Sequence, residues 1–111
     1  MKQLFLMALV SLTYNITNAQ KVYSVTSENR TDVKVYVVNG SNQADLIVYM
    51  VKNESKASNN DGKWFFTKME SQAKKKIYFV KSEIQADLKV YFTEYENQAG
   101  WKNLSKKHLM Y

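Results

Sequence analysis

The chain has 111 residues, no Cys, no Pro, one His and a formal charge of +6. Without Cys there is no disulfide framework, no thiolate metal cage and no site for a lipid anchor of the bacterial lipoprotein kind, and one His cannot build a typical zinc site. The composition is that of one small basic domain whose thin core must be held together by packing and topology alone.

In chain order, residues 1–19 read as a secretory leader. Lys2 supplies a positive start, an apolar run over 4–12 follows, and Thr17-Asn18-Ala19 offers the small residues that signal peptidase reads. Cleavage is expected after Ala19, leaving Gln20 as the first residue of a secreted or periplasmic domain over 20–111. The apolar run is too short to span a bilayer, and no later stretch is long and apolar enough. Removal of Lys2 leaves 15 Lys and Arg against 10 Asp and Glu, a net +5.

From residue 22 onward the chain repeats itself. Thirteen-residue units run over 22–34, 35–47, 48–60, 64–76, 77–89 and 90–102, with Asp61-Gly62-Lys63 inserted between the third and fourth. The first place is apolar (Val22, Val35, Val48, Trp64, Ile77, Val90) and the second aromatic (Tyr23, Tyr36, Tyr49, Phe65, Tyr78, Tyr91). The seventh place is mostly Glu, the ninth mostly Gln and the tenth mostly Ala. Such self-similarity must be settled before any other feature is read.

Each unit runs from a polar stretch into the apolar start of the next, as in Ala44-Asp45-Leu46-Ile47-Val48-Tyr49-Met50-Val51. Two-residue alternation and abundant Val, Ile, Tyr and Phe predict a strand at every junction. Thirteen residues cannot hold a strand and a crossover helix, since a βαβ unit takes about thirty. The fold class predicted is therefore all-β: six tandem strand–turn repeats in a compact, antiparallel-rich domain, as a simple meander or small barrel. Asn39-Gly40 marks a turn, and Lys56 through Gly62 the longest loop. The last residues, with Leu109, Met110 and Tyr111, are expected to dock.

Candidate chemistry is sparse. Asp32, Asp45 and Asp87 recur at the eleventh place, where a calcium ladder would need a carboxylate in every unit. Ser58, Lys74 and Gly100 stand there instead, so the Asp residues are read as turn caps or as partners of a neighbouring strand's Lys. His108 has no nucleophile at a recognisable spacing, and no phosphate loop or dinucleotide fingerprint occurs. No catalytic residue, metal or cofactor is assigned. The densest positive runs, Lys74-Lys75-Lys76 and Lys106-Lys107, are candidate anion contacts for an acidic polysaccharide or other polyanion. The bland alternative is a solvated face that keeps strand edges from aggregating.

Taken together, the tandem Gln85-Ala86-Asp87-Leu88-Lys89-Val90-Tyr91-Phe92 type of unit, the restart Trp64-Phe65-Phe66 and the ending Gly100-Trp101-Lys102 through Lys106-Lys107-His108-Leu109-Met110 resemble the septoil-knot domain family of small bacterial proteins. The resemblance covers about 22–111. It implies an all-β domain whose backbone is knotted with seven crossings, and it implies no enzyme activity. The first unit, with Arg30-Thr31, and the degenerate third unit depart from the pattern. The expectation is a non-enzymatic, monomeric binding or structural module. The alternatives are a protein–protein module such as an inhibitor or envelope factor, and, further off, an enzyme on anionic envelope substrates.

Overall fold

The computed structural model describes residues 19–111; the expected leader falls almost wholly outside them. Seven strands follow one another: β1 (Lys21–Ser24), β2 (Val33–Val37), β3 (Leu46–Met50), β4 (Lys63–Phe66), β5 (Lys75–Phe79), β6 (Leu88–Phe92) and β7 (Gly100–Trp101). Each predicted unit junction carries one of them. Between strands, places seven to nine of every unit form a short 3-10 turn, from Glu28–Arg30 to Glu96–Gln98. The tenth-place residue closes the turn by donating its N–H to the seventh-place carbonyl, as Ala86 does to Glu83 at 3.1 Å.

The strands do not pair as an antiparallel meander. β1 to β6 form a closed ring in the order β4-β1-β5-β2-β6-β3, with β3 returning to β4, and every pairing in the ring is parallel. Only the two-residue β7 is antiparallel, against β3. The expectation failed on the length of the connection. The strands have at most five residues, about 16 Å. Eight residues, such as 25–32 between β1 and β2 with three of them in the 3-10 turn, reach about 22 Å. That suffices to carry the chain back outside the barrel to the level where the last strand began, so no crossover helix is needed.

The connection also overshoots its neighbour. Consecutive strands are never adjacent in the ring except at β3 and β4. The chain makes a first lap through β1, β2 and β3, and a second through β4, β5 and β6, whose strands fill the places the first left open. Apart from β3 and β4, whose partners lie 14 positions apart, paired residues in the ring therefore lie 44 or 53 positions apart, as in Val33 with Ile77 and Val22 with Lys75. Chains rarely thread their own connections, and a reading based on that rarity favours the simpler meander.

The repeat supplies the core directly. All six first-place residues, Val22, Val35, Val48, Trp64, Ile77 and Val90, are fully buried inside the ring. Val33, Leu46 and Leu88 from the twelfth place join them. The second-place aromatics point outward and are half-buried. One end, where the strands start, is sealed by the C-terminal 3-10 helix Leu104–Met110, whose Met110 is fully buried and accepts a hydrogen bond from Gln20 Nε2 at 3.0 Å. Gln20 lies one residue before the Lys21–Phe65 pair and Trp64 stands opposite. The two carry complementary buried atoms without a partner, the acceptor Gln20 Oε1 and the donor Trp64 Nε1.

The insertion is the seam between laps. Asn60 and Gly62 have positive φ, 57° and 96°. Asn60 is buried, its carbonyl accepts from Trp101 Nε1 at 3.0 Å, and its side chain donates to the Lys107 carbonyl at 3.0 Å. A Cβ on Gly62 would stand 2.5 Å from the Ile47 carbonyl oxygen.

Candidate functional site

The lumen is filled, so function has to lie on the outer wall or the ends. On the wall, register sets an aromatic beside a lysine again and again: Tyr23 pairs with Lys76, Tyr78 with Lys34, Tyr36 with Lys89, Tyr49 with Lys63 and Phe65 with Lys21. Only Tyr91 breaks the rule, facing Ile47. Residues paired in a parallel ladder share a face, so a belt of alternating rings and ammonium stems surrounds the barrel.

The recurrent Asp residues tie this belt together through the backbone. Asp32 donates its N–H to the Lys76 carbonyl at 2.8 Å, and its carboxylate accepts the Lys76 N–H at 2.9 Å. Asp45 makes the same pair of bonds with Lys89, and Asp87 with Lys34. The partner is a neighbouring strand's Lys, as read from the sequence, but the group engaged is its amide and not its ammonium. Each clamp joins one lap to the other.

The seventh-place Glu residues neutralise most of the belt. Lys34 pairs with Glu28 at 3.4 Å and Lys89 with Glu83 at 3.5 Å, each within one unit. Lys21 pairs with Glu54 at 2.9 Å and Lys63 with Glu96 at 3.5 Å, across units. By the within-unit rule Lys76 belongs to Glu70. Glu70 instead bonds Arg30, the residue standing where four of the other five units carry Gln. Lys76 is left without a carboxylate partner among the described residues. Next to it on the same outer face is Lys74, in the eleventh place that holds Asp in three of the six units; its N–H bonds the Lys21 carbonyl at 2.8 Å. Two departures from the repeat thus concentrate positive charge at the start of β5, with the Asp32 carboxylate as the acid closest to the Lys76 backbone.

The sequence-derived lysines separate into different places. Lys74 and Lys76 share the outer wall. Lys75 is in register with buried Val22 and so faces inward at the strand-start end, half-buried. Lys106 lies against the start of β3, three places round the ring from β5, with its Nζ 3.4 Å from the Asp45 carboxylate. Lys107 sits beside the seam through its carbonyl. The two runs do not form one patch, and Lys106 has a structural partner. His108 is exposed.

Asp45 is the most elaborated ionisable group. It is buried, its carbonyl accepts from both Lys102 and Asn103 N–H at 2.8 and 2.9 Å, and the Asn103 amide reaches its Oδ1 at 3.2 Å. Burial pushes its carboxyl up. The Lys89 N–H, the Asn103 amide and the Lys106 charge more than offset this and leave it below the usual range. The site closes the sealed end of the barrel, and nothing in its geometry exposes the carboxylate to a reactant. Arg30 was missed in the sequence as a functional residue. The sequence marked it only as a departure of the first unit from the common ninth-place Gln; that it meets Glu70 is set by the fold.

These features define a class, a closed parallel β-barrel whose strands belong to two interleaved laps of repeats. A family model described as the 7(1) septoil knot domain matches residues 19–102, and the chain belongs to the septoil-knot domain family. No curated protein and no solved structure matched the chain. The family name describes what two interleaved laps do to a backbone: strands of the second pass run between those of the first.

Proposed function

We propose that the chain is an exported, non-enzymatic binding module for a polyanion of the acidic-polysaccharide type, and that Lys74 and Lys76 carry the contact. The observation behind this is the break in charge pairing at β5. A solvated face would leave the repeat's Lys–Glu pairing uniform. Here Arg30 draws off Glu70 and Lys74 is the one basic residue at a place that holds Asp in three units, so free ammonium groups gather beside the Tyr23 and Tyr78 rings. Charges at this spacing attract an extended anion, and adjacent rings offer faces to its sugars.

The test is an NMR titration of the isotope-labelled protein with a uronic-acid polysaccharide, at low and at physiological salt. Shifts centred on Lys74, Lys76 and Tyr23 that persist at physiological salt are expected. The Lys74→Gln/Lys76→Gln variant should lose them. Arg30→Gln should weaken them too, because it releases Glu70 to pair with Lys76. Shifts spread over every lysine and abolished by salt would make the charge a solubility feature and end this reading.

A further inference from the structure

Because six strands are parallel, their ends gather at one face opposite the sealed end. Third-place residues point inward there: Ser24, Val37, Met50, Phe66, Phe79 and Phe92. Phe92 lies 6.4 Å from both Phe66 and Phe79, and Trp64 packs edge-on beneath at 6.0 and 6.4 Å from Phe66 and Phe92. The rings close the lumen but remain open above. Val37, Met50 and Phe79 are 42, 52 and 36% exposed, and Met69 on the loop after β4 is 56% exposed.

The loops leaving this face carry charge at the fifth place: Lys52 after β3, Lys68 after β4 and Lys81 after β5, with Glu94 after β6. All three lysines are exposed, and none has a carboxylate partner among the described residues. Between β3 and β4 the face opens into a cleft of about 500 Å³ bordered by Met50, Phe66, Met69, Lys52 and Lys68, with Glu54 on its flank already tied to Lys21.

We infer that this end docks on the surface of an anionic lipid bilayer, seating its Met and Phe side chains at the interface and its lysine tips among the head groups. Three observations select that partner. The core beneath is filled, so neither an acyl chain nor a peptide can be drawn into the barrel; what fits is a partner met across a broad face. The apolar groups lie among loops that carry three free lysines against one glutamate, a net positive rim of the kind that interfacial binding to anionic lipid uses. A second copy meeting this one end to end would bring two net-positive rims together. The inference is separate from the wall site: Lys74 and Lys76 stand at the start of β5 on the outer wall, whereas the loop lysines follow the ends of β3, β4 and β5.

The experiment is co-sedimentation with phosphatidylcholine vesicles with and without phosphatidylglycerol, at physiological salt. The full chain, expressed with its own first residues, is used, and every variant is checked by mass to carry the same N-terminus. The expected result is binding only to the phosphatidylglycerol vesicles. Lys52→Gln/Lys68→Gln/Lys81→Gln should weaken it by about a hundredfold, counting each lysine at the anionic surface. Met50→Ser/Met69→Ser, at exposed positions, should weaken it about tenfold, and Lys74→Gln/Lys76→Gln less than about twofold. Circular dichroism on each variant separates loss of fold from loss of docking. Equal binding to neutral vesicles, no binding to anionic ones, or an unchanged triple variant would overturn the inference. So would a concentration-dependent dimer, seen without lipid, that Met50→Ser/Met69→Ser dissolves.

Discussion

The two ends of the barrel are made from the same repeat and finished differently. At the strand-start end the C-terminal helix brings Met110 into the core, Lys106 onto Asp45 and Asn103 onto the same carboxylate. Among the described residues, the buried side-chain polar atoms without a partner are Gln20 Oε1 and Trp64 Nε1. At the other end nothing from the described chain covers the Phe rings, and the loop lysines stand unpaired. The difference shows that a closed barrel has no free sheet edges to protect, and so can leave one end unfinished without inviting strand addition.

If that contrast is right, substitutions at the seam and the sealed end should cost far more than equal ones at the open end. Gly62→Ala should be the most damaging, losing about 3 kcal/mol or more by forcing a Cβ into the Ile47 carbonyl at a positive φ. Its unfolding midpoint in denaturant gives the measure. Met110→Ala empties a fully buried site and should cost about 2–5 kcal/mol in the same assay.

Asp45→Asn sharpens the comparison by pH. The folded carboxyl titrates below its unfolded value of about 3.9. Its stabilisation is therefore complete above that value and disappears as pH falls through the lower, folded one. The wild-type protein should lose stability between those two values, and Asp45→Asn should lack that part of the acid limb while being less stable at neutral pH by about 1–3 kcal/mol. Smallest of all, Met50→Ser at the open end should shift the unfolding midpoint by no more than about 0.5 kcal/mol. A cost equal to that of Met110→Ala would show the two ends to be equally structural.

Much of the barrel was legible in the sequence. The first-place residues were correctly grouped as one recurring apolar set, and each unit junction became a strand. The docked tail and the long third loop are present, the latter as the seam. Strand direction was not legible, because alternation of Leu46, Val48 and Met50 gives the face and says nothing of what pairs alongside. Pairing partners 44 and 53 residues away leave no local mark beyond Asp32, Asp45 and Asp87, whose clamps need the fold to be read. The anion contacts were legible only as charge runs. That Lys75 turns inward and Lys106 holds Asp45 depends on register and on the tail's path. The sorting of Lys76 from its Glu depends on Arg30, which acts from the other lap.

The ladder of paired residues also sets an order of assembly. β1, β2 and β3 pair with none of one another; every neighbour they have belongs to the second lap or to β7. A chain emerging N-terminus first, from a ribosome or through a translocation channel, can therefore complete no native ladder until residue 63 is out, and no closed ring until residue 92 follows. For more than half its length the nascent protein has nothing to fold onto, which keeps it threadable for as long as it is being threaded.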